Sequence, residues 1–229
     1  KLLQDHGGTV LGGPFAGLAG MTEVLEGCHV PKLLGCYERE LHGVVERIVA
    51  TSYDVVVNVG CAEGYYTIGL ARRMPRARIL AFDTNPEAQA ACRRLAERNG
   101  LAERVAIGGT LEGGDFARWA GSRSLVICDI EGAEDELLDP ARHPALAGMD
   151  VLVECHDCFT PGLSLAIARR FQATHRIERY RPAVLPFELP AEFARAPDLD
   201  RILALWEWRS GPTPWLFMTA RAGGDAAGA

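Results

Sequence analysis

Lysine is nearly missing from this chain of 229 residues: only Lys1 and Lys32 occur, so 22 of its 24 basic residues are arginines. That skew reads as genome base composition before it reads as function. A basic excess is missing too, with 24 Lys+Arg against 30 Asp+Glu and a net charge of −6. Nucleic-acid binders ordinarily carry the opposite balance, so no nucleic-acid partner is expected. No apolar run approaches the roughly 18 residues of a membrane-spanning helix, and no membrane partner is expected. The seven cysteines are odd in number and scattered along the chain, a poor disulfide framework. Reduced thiols in a cytoplasm are the expectation. Lys1 to Gly8 lacks the apolar core of a signal peptide. It also lacks an initiator Met, which leaves a longer parent chain open.

What is present is an average soluble composition, 48% hydrophobic and 24% charged, with ample length for a full core. Residues 1–35 are glycine-rich and read as an irregular arm. Leu41, Val44, Val45, Ile48 and Val49 fall on one stripe of a 3.6-residue period, which predicts a helix over 37–49. From Asp54 the pattern alternates between strands and helices. Val55 to Val59 is a continuous run suited to a strand buried on both faces. Asn85, Pro86 and Gly100 bracket a helix as cap, first turn and stop. Further strands are expected at 79–83, 104–107, 125–129 and 151–155, with a helix from Pro161 to Phe171. Such alternation predicts an α/β fold, Rossmann-like and doubly wound, with a mostly parallel sheet and helices on both faces. Arg176–Tyr180 and Trp215–Thr219 read as a late strand pair around a Pro-rich insertion, 181–214, holding a helical stretch from Leu199 to Trp208. Residues 1–220 form one domain in this reading, with 54–160 as its cofactor core and 221–229 as a frayed tail.

The first strand ends in Asn58-Val59-Gly60-Cys61-Ala62-Glu63-Gly64, and the second in Asp83, 23 residues after Gly60. A glycine turn after one strand and an acidic residue at the end of the next suit a nucleoside-containing cofactor, the acid taking the ribose hydroxyls. A dinucleotide site prefers G-x-G-x-x-G, whose middle glycine makes room for a pyrophosphate. Here the spacing is G-x-x-x-G, with Ala62 at that middle position and Glu63 beside it. The loop better suits a cofactor without phosphate, such as S-adenosylmethionine.

Three stretches resemble motifs of class I S-adenosylmethionine-dependent methyltransferases: residues 57–66, Ala81-Phe82-Asp83, and Ile127 to Glu134. Asp129-Ile130-Glu131-Gly132-Ala133-Glu134 is particularly similar to the FkbM-type branch. The resemblance covers about residues 54–160. It implies a seven-stranded sheet with the last strand antiparallel, Gly60 against the methionine portion, Asp83 on the ribose, and the 108–114 loop on the adenine. Asn58 departs from the acidic residue common in the first motif. The cofactor contacts expected around the first turn are Asn58, Gly60, Cys61, Glu63, Gly64 and Tyr65. Asp83, Thr84, Thr110 and Asp129 complete them. Simpler duties stand beside these: Asp83 as a helix cap, Gly60 and Gly64 in packing, Tyr65 and Tyr66 in the core, Glu63 as a solvated carboxylate.

Two polar clusters mark strand ends, Asp129/Glu131/Glu134 and Glu154/His156/Asp157, and the family topology turns both toward one pocket. His156, with an ordinary pKa near 6.5, is the candidate general base, and Asp129 is the candidate to position the acceptor or support that base. A capping role competes for His156. For Glu131 and Glu134, stabilisation by a helix dipole is the simpler reading. Asp129, Glu154, His156 and Asp157 also offer ligands for Mg²⁺ or Mn²⁺. A zinc reading pairs Cys155 and Cys158 with Cys28, His29 and Cys36. Trp206, Trp208 and Trp215 suit stacking on an acceptor ring, though at least two are expected in the core. The insertion and arm are expected to wall the pocket. The function expected is methyl transfer from S-adenosylmethionine to a hydroxyl of a small molecule, sugar-containing ones included. The metal-assisted version, a nicotinamide oxidoreductase and a non-catalytic cofactor-binding relic are the alternatives, and the oligomeric state is open.

Overall fold

A computed structural model describes residues 2–183 and 186–221. In chain order the elements are α1 (Leu2–His6), α2 (His29–Leu34), α3 (His42–Ala50), β1 (Val55–Val59), α4 (Tyr65–Arg73), β2 (Arg78–Phe82), α5 (Pro86–Arg98) and β3 (Val105–Gly108). They continue with β4 (Ser124–Cys128), α6 (Glu134–Leu137), β5 (Asp150–Glu154), α7 (Leu163–Phe171), β6 (His175–Tyr180), α8 (Asp198–Leu203) and β7 (Trp215–Ala220). The strands form one sheet in the order β3-β2-β1-β4-β5-β7-β6. β1 to β5 pair in parallel, and β7 runs antiparallel between β5 and β6. The fold class expected from the sequence is the one observed.

Helices cover both sheet faces, which is why the central strands are apolar on consecutive residues. Val56, Ile79, Leu125 and Ile127 face one core layer, shared with α3, α4, α5 and the arm residues Phe15, Leu18 and Met21. Val55, Val57, Val126 and Val153 face the other, closed by Phe116, Trp119, Leu146 and the α7 residues Ile167 and Phe171. The register aligns Val59 with Phe82 on one side and Cys128 on the other. The residues that follow, Gly60, Asp83 and Asp129, therefore emerge at one level of the sheet edge.

Several expectations change. The arm is not irregular throughout, since α1 and α2 form within it. Helix α3 begins at His42 rather than 37, because Glu38 holds a left-handed backbone, φ +48°, and a 3₁₀ turn at Arg39–Leu41 intervenes. α8 stops at Leu203, well short of Trp208, whose own φ is +57°. Of Trp206, Trp208 and Trp215, only Trp215 lies in the core; Trp206 and Trp208 stack on each other in the open, 49% and 68% exposed. Of the expected tail, residues 222–229 lie outside the described residues.

Candidate active site

Strand order reverses between β1 and β4, and ligands of open α/β sheets sit at the carboxyl edge of that reversal. A cavity of about 780 Å³ opens there, within the roughly 300–1,000 Å³ of small-molecule sites. Gly60, Asp83, Thr84, Thr110 and Asp129 line it together. Gly60 has φ +79°, and a Cβ on it would lie 1.6 Å from the Asp129 carbonyl oxygen. No other residue lets the exits of β1 and β4 come so close. Ala62 follows in a left-handed conformation, φ +44°, which costs a non-glycine residue on the order of 1–2 kcal/mol. Its N–H donates to Asp83 Oδ2 at 2.9 Å, while Asp83 Oδ1 accepts from the Asn85 N–H at 2.8 Å. Asn85, not Asp83, caps α5, accepting from the Glu87 N–H at 2.9 Å. Asp83 joins the turns after β1 and β2, and both its oxygens keep acceptor capacity.

The other five expected cofactor contacts lie elsewhere. Asn58 is buried and donates from Nδ2 to Thr67 Oγ1 on α4 at 2.9 Å, because its position on β1 faces that helix. Cys61 lies in the core against Cys92. At Gly64, φ +99°, a Cβ would meet the Cys92 sulfur at 2.8 Å, so this glycine serves helix packing. Tyr65 is buried edge-on to Phe15, 5.1 Å between ring centres. Glu63 is neither solvated nor in the cavity: it is buried in an ion pair with Lys32 and accepts from the Leu25 N–H at 3.1 Å. The arm took Glu63 and Tyr65, and a sequence window around β1 does not contain it.

At the β4–β5 edge, Asp129, Glu134, Glu154 and His156 converge. His156 Nδ1 lies 2.8 Å from Glu134 Oε1. Its Nε2 lies 3.7 Å from Asp129 and 3.6 Å from Glu154, too far for hydrogen bonds. Glu134, rather than Asp129, is thus the carboxylate that orients the imidazole. Glu134 is fully buried, and its Oε1 also accepts from the Ile130 and Gly132 N–H groups. Its burial opposes ionisation, but the hydrogen bonds to His156 and the backbone outweigh it and hold the carboxyl below its ordinary range. For His156 burial alone would lower the pKa; the Glu134 hydrogen bond and the Glu154 charge prevail and raise it. Asp129 is pushed well up by burial, then by the neighbouring Glu154 and Glu38. Phe159 stacks on the imidazole at 5.6 Å. Asp157 leaves the cluster, since strand alternation sends it to the other side: it accepts from Ser164 N–H and Oγ at 2.7 and 2.6 Å.

Asp129, Glu154 and His156 each offer one ligand atom, all within 4.8 Å of one another, and could hold a metal ion. The zinc grouping does not gather among the described residues. Cys155 is buried in the second core layer, and Cys158 packs by Gly211.

Residues that sequence reasoning missed come from outside the core motifs. Arg209, in the insertion, reaches Glu154 and Thr213 with Nη1 and lies 3.3, 3.7 and 3.1 Å from Glu38, Glu40 and Glu207 with Nη2. Burial pushes Glu38 up to about 8 and Glu40 to about 7. Glu26, from the arm, lines the main cavity. Glu134, inside the third motif, was named there, but its role as the partner of His156 was not. Of the described non-glycine residues with positive φ, Ala62 and Glu131 flank the cavity turns, while Glu38 and Trp208 flank the Arg209 cluster. Such strain concentrates at functional sites.

No protein-family model matches the sequence, and no curated protein matches it significantly. Solved structures do share its fold. The O-methyltransferase TomG from Streptomyces achromogenes, involved in tomaymycin synthesis and solved in complex with S-adenosylmethionine, superposes with a TM-score of 0.53 at 13% identity, over 82% of each chain. An S-adenosylmethionine-dependent O-methyltransferase from Thermotoga maritima gives 0.53 at 14%, over 81% of this chain and 66% of that one. A precorrin-6y C5,15-methyltransferase from Geobacter metallireducens gives 0.52 at 12%, over 77% and 88%. The fold is therefore the Rossmann-like one of these methyltransferases.

Proposed function

We propose that this chain is an S-adenosylmethionine-dependent methyltransferase of the FkbM type, which methylates a hydroxyl of a small molecule, sugar-containing acceptors included. The observation that carries this is the charge of the cavity. Six acidic side chains line it (Glu26, Asp83, Glu112, Asp129, Glu131 and Glu136), of which Glu26 and Asp129 are held above the ordinary carboxyl range, against one guanidinium, Arg142. Such walls repel a pyrophosphate, which counts against a nicotinamide cofactor, and attract a ligand carrying a sulfonium and an ammonium. The fold shared with these methyltransferases supports the same reading, and two of the three are O-methyltransferases.

When bound, the cofactor supplies a methyl group made electrophilic by its sulfonium. In this proposal Gly60 and Asp83 hold its amino-acid and ribose portions, Thr84 borders the ribose, and the 109–114 loop with Thr110 takes the base. Glu134 accepts the Nδ1 proton of His156, which directs the Nε2 lone pair between Asp129 and Glu154. His156 receives the acceptor's proton there, and Asp129 positions the hydroxyl. The raised pKa of His156 places this base duty on the alkaline side of its ordinary titration. A smaller cavity, about 220 Å³, between Arg39, Phe187, Trp206 and Arg209 supports the arm and insertion as walls of the acceptor site within one domain. No helix among the described residues is long and apolar enough to cross a membrane. The seven cysteines are free, as in a reducing compartment, and on that ground we propose the cytoplasm as the site of the reaction.

A second reading keeps the transfer and adds a divalent cation on Asp129, Glu154 and His156. What favours it is His156 Nε2, buried without a hydrogen bond between two carboxylates, with Glu134 as the carboxylate behind a metal-binding histidine.

Calorimetry with S-adenosylhomocysteine tests the main reading. The unmutated protein should bind it, and Asp83→Ala should weaken binding by about 1.5–3 kcal/mol, the worth of hydrogen bonds to a charged group. No binding by the unmutated protein would refute the cofactor assignment.

A further inference from the structure

We infer that Glu26, on the arm between α1 and α2, is the anionic partner of the α-ammonium group at the amino-acid end of the cofactor. This rests on the S-adenosylmethionine reading above. The arm reaches the cavity because one buried lysine ties it there. Lys32 Nζ pairs with Glu63 in the turn after β1 and donates to the Glu26 carbonyl at 2.7 Å. The Leu25 N–H donates to the other Glu63 oxygen at 3.1 Å. Residues 25 and 26 are thereby pinned to the turn that begins with Gly60.

The Glu26 carboxylate itself, half-buried in the cavity wall, makes no hydrogen bond and no ion pair among the described residues. The charges that face it include Asp83 from the end of β2, Asp129 and Glu131 from the exit of β4, Glu63 from the turn after β1, and Lys32 from α2. Four of these five are acidic, and the cation among them, Lys32, is already committed to Glu63. Burial first, then Asp83 and Glu131, push the Glu26 carboxyl up to about 7. Such a group gains most from a ligand that brings a positive charge and hydrogen-bond donors together. An ammonium offers three N–H donors to its two free oxygens; a sulfonium offers none. The hydrogen bonds that hold residues 25 and 26 to the turn after β1 put Glu26 at the Gly60 end of the cavity.

Two probes separate the ends of the cofactor. S-adenosylhomocysteine carries the ammonium on a neutral thioether; 5′-methylthioadenosine keeps the nucleoside and thioether without the amino-acid end. By calorimetry, Glu26→Gln should weaken S-adenosylhomocysteine about ten-fold or more while leaving 5′-methylthioadenosine unchanged, which also reports an intact cavity. Unchanged affinity for S-adenosylhomocysteine, or equal loss of both ligands, overturns the assignment. So does a loss confined to S-adenosylmethionine, which would point to the sulfonium. If the unmutated protein binds none of the three, the cofactor reading fails first and this inference with it.

Discussion

Lys32→Met removes one half of a buried ion pair whose side chains are only 4% and 2% exposed. Glu63 would keep one hydrogen bond, from the Leu25 N–H, and lose its only cation among the described residues. The ammonium also leaves the faces of Tyr37 and Tyr65, 4.9 and 5.8 Å from their ring centres. Breaking such a pair from one side costs about 3–5 kcal/mol, because a buried charge is left uncompensated. At roughly 2–4 °C per kcal/mol for a domain of this size, the melting temperature should fall by about 6–20 °C. Urea denaturation followed by tryptophan fluorescence should show the same loss as a shift in midpoint with an unchanged slope. Adding Glu63→Gln deletes the stranded charge but keeps an acceptor for Leu25, so the double variant should recover at least about half of the loss. A single variant within about 1 kcal/mol of the unmutated protein would behave like a surface pair and refute the reasoning. A double variant as unstable as the sum of the two singles would refute it equally, since the charges would then be uncoupled.

His156→Ala should reduce turnover about 10²-fold or more with S-adenosylhomocysteine affinity nearly unchanged, measured by methyl transfer and calorimetry; unaltered turnover removes it from the chemistry, and activity insensitive to chelation removes the cation reading. His175 is buried, and burial holds its pKa below 6.5, so on acidification the unfolded chain takes that proton first and stability drops as pH falls below 6.5. Glu26, Glu38 and Glu40, held above the ordinary carboxyl range, act in the opposite sense. The comparison is therefore between the urea midpoints of the unmutated protein and His175→Gln across that pH; the variant should lose less stability on the acid side, and parallel curves would contradict the argument.

Local chemistry determined much of this molecule. Pro86 after the cap Asn85, the β-branched run from Val55 to Val57, and the apolar stripe through Val44, Val45 and Ile48 act over a few residues, so their elements were legible. The pairing of Gly60 with Asp83 was legible for the same reason, since each ends a recognisable strand and the sheet brings strand ends level. What lies across the sheet was not. Glu63 and Tyr65 look available beside Gly60, but Lys32 and Phe15, dozens of residues upstream, bury them. Glu134 looks like an ordinary first-turn carboxylate until β5 brings His156 to it, and Arg209 has no local signal at all. The scarcity of lysine told nothing about function by itself. Only the tertiary structure decided that Lys32 lies buried against Glu63, where low dielectric turns a single charge into the tie that carries the arm, and Glu26 with it, to the cavity.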